Sequence, residues 1–446
     1  MKSMDRRKFL KNAGAGTVGL VAASGPLIKS ALAKNSPNET INVAVMGIRS
    51  RGAQHAENFA NIPNVNVTVL CDIDERLLPK VQDEIEKISG KRPRAEIDIR
   101  KVLEDKNVDV LSIASCNHWH SLATIWACQA GKDVYVEKPV SHNIWEGRKM
   151  VEAARKYDRI VQVGSQNRSG AVVRSAMDFL HSGKLGDIYL VQCSIYRSRE
   201  SIGRGKIVPI PEGVHYDLWL GPAPVRPFID NRFHYNWHWF WDTGSGETGN
   251  NGPHYTDMAR WALQKYEHPK ITQSIGGYYA FDCDQETPNT QMSVMQYEDG
   301  KIVQLEVRGL YTQPEIGMKF YGTEGWMKLG GGKWETFYGR KNEPGPSMSD
   351  EEASKKYDPL NVRGTGGGPH FQNFVNAVRS HNRKELTAEI LEGHLSAAMC
   401  HLSNIAYRLG RSVVFDPHNE HFIDDDEAET YLSREYRYPF IVPEKV

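Results

Sequence analysis

Five stretches of this 446-residue sequence gather side chains able to move protons or to hold phosphate and hydroxyl groups. "INVAVMGIRSRGAQHAENFA" sets Gly47 and Gly52 around Arg49, Ser50 and Arg51. "NVNVTVLCDID" brings an apolar run to Asp72, and "VDVLSIASCNHWH" brings another to Asn117, His118, Trp119 and His120. "KDVYVEKPV" closes on Glu137 and Lys138. "NWHWFWDTGSGETGNNGPHYTDMARWAL" holds Trp237, Asn250, His254 and Asp257. Amines, imidazoles and carboxylates are the groups that general acid–base chemistry uses. Glycines and arginines ahead of a helix suit a phosphate.

The elements that would position them follow from hydrophobic period. Ile41 to Met46 is a β-rich apolar run bounded by Gly47, which predicts a buried strand, with a helix over Ala53 to Ala60. Val65 to Cys71 predicts the next strand and ends at Asp72, about 20 residues beyond Gly52. A dinucleotide fold puts an acid there on the ribose 2′-hydroxyl, where it accepts hydrogen bonds and repels a 2′-phosphate, favouring NAD over NADP. Val108 to Ala114 and the run closing at Glu137-Lys138-Pro139 predict two more strands, with a helix from Ser121 to Ala130 between them. Ligands of an open parallel sheet sit at the carboxyl ends of its strands. One departure stands out: Arg49 replaces the central glycine of G-x-G-x-x-G, and Arg49 and Arg51 are expected to offer cationic forks to phosphate instead. Without a ligand the same pattern is an ordinary βαβ unit.

From Gly164 the pattern changes. A helix and a strand over Asp187 to Ile195 precede long strands of antiparallel type, with turns at Glu298-Asp299-Gly300 and Gly322-Thr323. "PHFQNFVNAVRS" and Ala388 to Leu409 read as packing helices. His254, Asp257, Met258 and Trp261 fall at i, i+3, i+4 and i+7, one helix face. Phe233, Tyr235, Trp237, Trp239, Phe240 and Trp241 suit either a core or a sugar platform; an extended chain would set the three tryptophans side by side. His234 and His238 stand at i, i+4, but no acid follows at a metal-site spacing, so no metal is expected.

"EKPV" after one strand and "NHWH" after the preceding one resemble the glucose-fructose oxidoreductase / inositol dehydrogenase / MocA family, over nearly the whole chain past the N-terminus. The resemblance implies an α/β chain: an N-terminal Rossmann dinucleotide-binding domain, then a C-terminal α+β domain with a large, mostly antiparallel open sheet. It implies NAD, held by Gly47, Arg49, Ser50, Arg51, Gly52, Asp72, Asn117, Trp119, His120, Glu137, Lys138 and Gln166, with a cis Lys138–Pro139 bond. A carbohydrate or polyol would meet Tyr196, Arg232, Trp237, Asn250, His254 and Asp257. The family's D-x-G-x-H-x-x-D is matched at Gly252, His254 and Asp257, whereas Asn250 replaces the first acid and cannot take a proton. Lys138 and His254 are the expected catalytic pair: the imidazole as general acid/base, the amine polarising the same oxygen, with these roles open to exchange. A homo-oligomer, dimer or tetramer, is also implied.

Residues 1–33 resemble a twin-arginine export signal, with Arg6-Arg7, a Gly/Ala-rich apolar stretch and Ala31-Leu32-Ala33 in order. The expected organisation is this signal, a Rossmann domain over 34–163, a substrate and oligomerisation domain over 164–415 and an arm over 416–446 that docks on its own domain or on another subunit. Formal net charge is zero, which gives no footprint for nucleic acid. No later apolar run is long enough to span a bilayer, and the six cysteines show no C-x-x-C. A periplasmic enzyme would load NAD before export, hold it tightly and restore it in place. The expected activity is oxidation of a secondary hydroxyl of a sugar, glycoside or polyol. The alternative is a redox-neutral, NAD-dependent glycosidase of the α-N-acetylgalactosaminidase type, which oxidises transiently, eliminates, adds water and reduces again. A sugar- or NAD-binding protein without catalysis is the third possibility.

Overall fold

The computed structural model describes residues 40–313, 315–358 and 367–446; the expected export signal lies outside them. Six short strands, five of them mainly apolar, are β1 (Ile41–Met46), β2 (Val65–Cys71), β3 (Arg94–Glu96), β4 (Val110–Ile113), β5 (Asp133–Val136) and β6 (Val161–Val163). They pair in parallel in the order β3-β2-β1-β4-β5-β6. The order reverses between β1 and β4, which opens a crevice at their carboxyl ends. The central strands are buried and mostly apolar because helices cover both faces. Helices Asn117–Gln129 and Ile144–Lys156 pack on one side. Helices Arg51–Ala60 and Leu78–Ser89 pack on the other.

Two helices begin earlier than their apolar period indicates. The first starts at Arg51 rather than Ala53, and the other at Asn117 rather than Ser121. Asn117, His118 and His120 interrupt the apolar pattern yet form the first helical turn, so the whole N-H-W-H motif sits on a helix N-terminus.

The second sheet has nine strands: β7 (Ile188–Tyr196), β8 (Ile271–Gly277), β9 (Thr290–Gln296), β10 (Ile302–Arg308), β11 (Glu315–Gly322), β12 (Gly325–Gly330), β13 (Lys333–Tyr338), β14 (Glu343–Ser349) and β15 (Val413–Val414). Their order is β14-β13-β12-β11-β7-β10-β9-β8-β15, antiparallel except where β7 meets β10. One face packs on helices Ala171–His181 and Gly252–Leu263. The other leaves Ile275, Met292 and Val294 exposed.

The boundary at 163/164 separates the two sheets but not the two cores. Helix Gly368–Ser380 returns to the first sheet, where Phe371 stacks on Tyr135 at 4.5 Å between centroids and Phe374 joins Phe59. Helix Ile390–Leu409 touches both, with Ile390 and Ala397 in the first core and Met399 in the second. The arm docks on its own chain. Phe440 packs on Trp119 and Trp126, and Val442 and Val446 enter the first core. Arg434 reaches Glu146 and the carbonyls of His118 and Asp242. Glu420 Oε1 receives His268 Nε2 at 2.6 Å and His394 Nε2 at 2.7 Å, while Arg148 pairs with the same carboxylate. Burial pushes the Glu420 carboxyl up, but Arg148 and the two histidines outweigh it and hold it far below the usual range. A metal ion at this cluster would have to displace the Arg148 guanidinium.

Phe440→Ala should therefore lower stability by about 3–5 kcal/mol in equilibrium urea unfolding, as a large aromatic is deleted from a packed site. Tyr438→Ala, 82% exposed on the same arm, should change it by less than about 0.5 kcal/mol.

Candidate functional site

A cavity of about 470 Å³ opens at the carboxyl ends of β1, β4 and β5. Gly47 leaves β1 with φ +79°, and a Cβ there would meet the backbone of Ala114 and Ser115 at 2.9 Å. A Cβ on Gly52 would stand 1.7 Å from the Gly47 carbonyl oxygen. Two of the motif's glycines are thus forced, one by the turn and one by helix–strand contact. The middle position is not a close approach in this chain: Arg49 is exposed on the cavity rim.

Asp72 closes β2 on the same wall. Its Oδ2 accepts the Ile48 N–H at 2.7 Å and its Oδ1 accepts Asp74 N–H at 3.0 Å. Each oxygen keeps a lone pair for a hydroxyl donor. Burial raises the carboxyl to about 6, against the lowering effect of those two N–H groups. Ile73, Ile97 and Asp98 extend this end of the cavity. A loop from the second half lies over it: His215 N–H donates to Ile73 O at 2.8 Å, Glu75 N–H to Gly213 O at 2.9 Å, and His234 Nε2 lies 2.7 Å from Asp74 Oδ2. A glycine turn, the N-terminus of the helix that Ser50 precedes, and a carboxylate at the next strand end fit an adenine dinucleotide.

Glu137, at the end of β5, organises the middle of the cavity. Its Oε1 accepts Arg51 Nε at 2.8 Å, lies 3.0 Å from His55 Nε2 and accepts Gln166 Nε2 at 2.9 Å. Its Oε2 accepts Lys138 N–H at 3.2 Å. Burial works to raise the carboxyl, but Arg51, His55 and Lys138 hold it well below the usual range. Arg51 consequently does not stand as the expected phosphate fork, because its guanidinium is committed to Glu137 and Gln54.

Beyond the cis Lys138–Pro139 bond, Lys138 Nζ donates to Asn250 O at 2.8 Å and lies 3.5 Å from Asn250 Oδ1. Burial lowers the Lys138 amine, while Glu137 and Glu247 support its charge. His254, on the first turn of helix Gly252–Leu263, lines the same wall with its Nδ1 enclosed and without a hydrogen-bond partner among the described residues. Burial, and then the Lys138 charge, press the imidazole down to about 3. That reverses the expectation of an imidazole titrating near neutrality.

Of the expected contacts, Gly47, Arg49, Ser50, Arg51, Asp72, Asn117, Trp119, His120, Glu137, Lys138, Gln166, Trp237, Asn250 and His254 line the cavity together. Several do so with their polar atoms already engaged. His120 places Nδ1 2.7 Å from Pro139 O and Nε2 2.9 Å from Ser115 O, and Trp119 donates its indole N–H to Leu218 O and Trp219 O. His118 likewise bridges Trp219 O and Thr243 O, and His238 faces Tyr235 O, so neither presents a free metal pair. Gly52, which packs on the Gly47 carbonyl, and Tyr196, Arg232 and Asp257 do not reach the wall. Tyr196 donates to Glu306, Arg232 lies over the Phe240 ring, and Asp257 is buried against Arg168 and Ser396. The tryptophans do not line up either, because Asn236–Trp239 is a 3₁₀ turn. Trp237 alone lines the cavity; Trp239 lies under Arg199 and Trp241 under Arg408.

Sequence reasoning missed His55, Glu247 and Arg199. His55 carries a signal only in retrospect, one turn into a phosphate-type helix. The Arg199–Glu247 pair spans 48 positions and leaves none.

Residues 41–165 match the model of an oxidoreductase family with an NAD-binding Rossmann fold, and residues 200–314 and 365–442 match that of an oxidoreductase-family C-terminal α/β domain. A glycosyl hydrolase family 109 protein of Shewanella baltica (strain OS185) is 25% identical over 206 residues, 42% of this chain and 45% of that protein. An alpha-N-acetylgalactosaminidase of Shewanella oneidensis is 24% identical over 208 residues, with the same coverage. These matches span less than half of either relative. Among solved structures, a levoglucosan dehydrogenase in complex with NADH and levoglucosan superposes with TM-score 0.65 at 16% identity, covering 84% of this chain and 99% of that one. The WlbA dehydrogenase of Bordetella pertussis, in complex with NADH and UDP-GlcNAcA, gives 0.65 at 20% identity, covering 86% and 99%. Both likenesses are of fold.

Asp72→Asn should raise the NAD dissociation constant about tenfold to a hundredfold by calorimetry, the loss of a charged acceptor for hydroxyl donors. Because burial raises this carboxyl, it becomes neutral as pH falls through about 6, so NAD affinity of the unsubstituted protein should weaken below that pH. The variant should lack that dependence.

Proposed function

Because the chain belongs to the glucose-fructose oxidoreductase / inositol dehydrogenase / MocA family of NAD-binding oxidoreductases, we propose that it oxidises and re-forms a secondary hydroxyl of a sugar, glycoside or polyol. The observation that carries this reading is the meeting of one amine and one imidazole, Lys138 and His254, on the wall that also holds Asp72 and the glycine turn.

The chemistry NAD supplies when bound is acceptance and return of a hydride. The rest belongs to this chain. Asp72 and the N-terminus of helix Arg51–Ala60 would bind the adenosine ribose and the phosphates. His254, neutral at physiological pH, would hold the substrate oxygen by a hydrogen bond. Lys138, whose amine burial brings down from its ordinary value, would take the hydroxyl proton on oxidation and give it back on reduction. Asn250 fixes Lys138 through its carbonyl but offers no proton site of its own. Trp237 and Tyr235 give the cavity an amphipathic wall suited to a sugar ring.

Export to the periplasm by a twin-arginine route, and association into a homo-oligomer through the exposed sheet face, are parts of the same proposal. The loop over Ile73 to Glu75 supports tight retention, since main-chain bonds on both sides of Asp74 pin it over the adenosine end. A cofactor held through turnover also suits a redox-neutral glycosidase, the second reading, which the two Shewanella relatives favour.

Aryl glycosides and free sugars incubated with the as-purified protein decide between these. A keto-sugar product marks a dehydrogenase, and free sugar without net NADH marks a glycosidase; neither product, with NAD bound, would remove both. Lys138→Met should lower kcat about 10²–10⁴-fold while leaving NAD binding within about threefold. For the unsubstituted enzyme, oxidation should rise with pH through the lowered Lys138 pKa.

A further inference from the structure

Glu247 is a buried carboxylate that does not itself line the main cavity. It sits in the first turn of the short helix Gly246–Asn250 and is 3% exposed. Arg199 donates to both of its oxygens, from Nη2 at 3.1 Å and 2.9 Å and from Nε to Oε2 at 3.2 Å. Asn251 Nδ2 donates to Oε1, and Asn250 Nδ2 lies 3.5 Å from Oε2. Asn250 is the residue whose carbonyl, and more distantly whose Oδ1, faces Lys138 Nζ. An amide must choose which end faces the amine, and a fixed carboxylate beside Nδ2 makes that choice: nitrogen toward Glu247, oxygen toward Lys138.

We propose that Glu247 is a positioning residue for Lys138, locking the Asn250 amide and supplying a buried negative charge that sets where the Lys138 proton is lost. The inference rests on the assignment of Lys138 above. Every charged or titratable group near the amine has a place in it. Glu137, on its own strand end, and Glu247 favour the ammonium; Arg51 and Arg199 oppose it. His120, His238 and His254 each sense Lys138 as a positive neighbour and are themselves held down by burial. Glu247 is the one carboxylate of this set contributed by the second half of the chain. It therefore couples the proton affinity of Lys138 to how closely helix Gly246–Asn250 is seated on the cofactor domain. Arg199 pairs with the carboxylate in bidentate fashion, so the two buried groups compensate one another.

The test uses the as-purified protein and two readouts. Competitive acetylation of Lys138, followed by mass spectrometry across pH, reports the amine directly, and kcat/KM for sugar oxidation reports its catalytic inflection. Glu247→Gln preserves shape and removes charge; both inflections should move about one pH unit lower, with a similar thermal midpoint. Glu247→Asp should restore the inflection toward that of the unsubstituted protein. Should Glu247→Gln fold poorly, the Glu247→Gln, Arg199→Gln double variant leaves no lone buried charge. It should shift the inflection the same way by a smaller amount, since Glu247 acts on Lys138 more strongly than Arg199 does. An unmoved acetylation inflection in a folded variant of either kind would overturn the proposal. A shifted acetylation curve without sugar oxidation would leave it standing and remove the dehydrogenase reading instead.

Discussion

The ionised carboxylate of Glu137 is the constraint around which the cavity is built. It is taken out of water at the end of a central parallel strand, where an uncompensated charge would be very costly. Its compensation comes from four directions: Arg51 and His55 from the helix after β1, Gln166 from beyond β6, and the Lys138 N–H. Each partner brings an element with it. Arg51 and His55 fix the helix whose N-terminus faces the phosphate end, and Gln166 fixes the chain where it leaves the first sheet. The Lys138 N–H fixes the backbone that aims the amine. The same four contacts satisfy a buried charge and assemble the middle of the site, so the position has little freedom to vary.

Around that centre the chain closes on itself by returning. Helix Gly368–Ser380 supplies Phe371 and Phe374 to a core begun by residues some 300 positions earlier, about two-thirds of the chain away. The arm supplies Phe440 behind Trp119, and Arg434 joins Glu146 to the carbonyls of His118 and Asp242. These last two carbonyls belong to the N-H-W-H helix and to the aromatic segment that precedes the His254 helix. The arm is thus a brace between the cofactor wall and the substrate wall. Burying Trp119 and bonding His118 and His120 to backbone carbonyls stiffens the wall, which leaves presentation of polar atoms to the ligand to Asp72, Lys138 and His254.

What the sequence made legible was local. β1 and β2, the acid at the end of β2, the N-H-W-H and E-K-P strand ends and the His254 helix all follow from runs of apolar residues broken by polar ones, because each is decided within about ten positions. The failures are the reverse. Arg51 read as a phosphate ligand because its partner, Glu137, is 86 positions away. Asp257 reads as a substrate contact through the family motif it shares with His254; one turn further along the helix, that face is covered by Arg168 and helix Ile390–Leu409. Trp237, Trp239 and Trp241 read as a platform only if extended, and a 3₁₀ turn sent them three ways. His254 read as a near-neutral base because burial is not written in its neighbours.

That last point bears on how the chemistry is divided. An imidazole pressed down to about 3 is a poor proton acceptor, although it is a good neutral hydrogen-bonding group. An amine lowered from its ordinary value moves toward the range in which it can give and take a proton. Burial shifts both groups the same way, yet it disables the one that began near neutrality and enables the one that began far above it. The cleft therefore exchanges the roles that free side chains would suggest. The replacement of an acid by Asn250 is consistent with this. A carboxylate hydrogen-bonded directly to Lys138 would restore the ammonium and undo the lowering, whereas an amide carbonyl orients the amine without adding charge. The negative charge is kept one helical turn back, on Glu247 beneath Arg199, where it can moderate the amine without pairing with it.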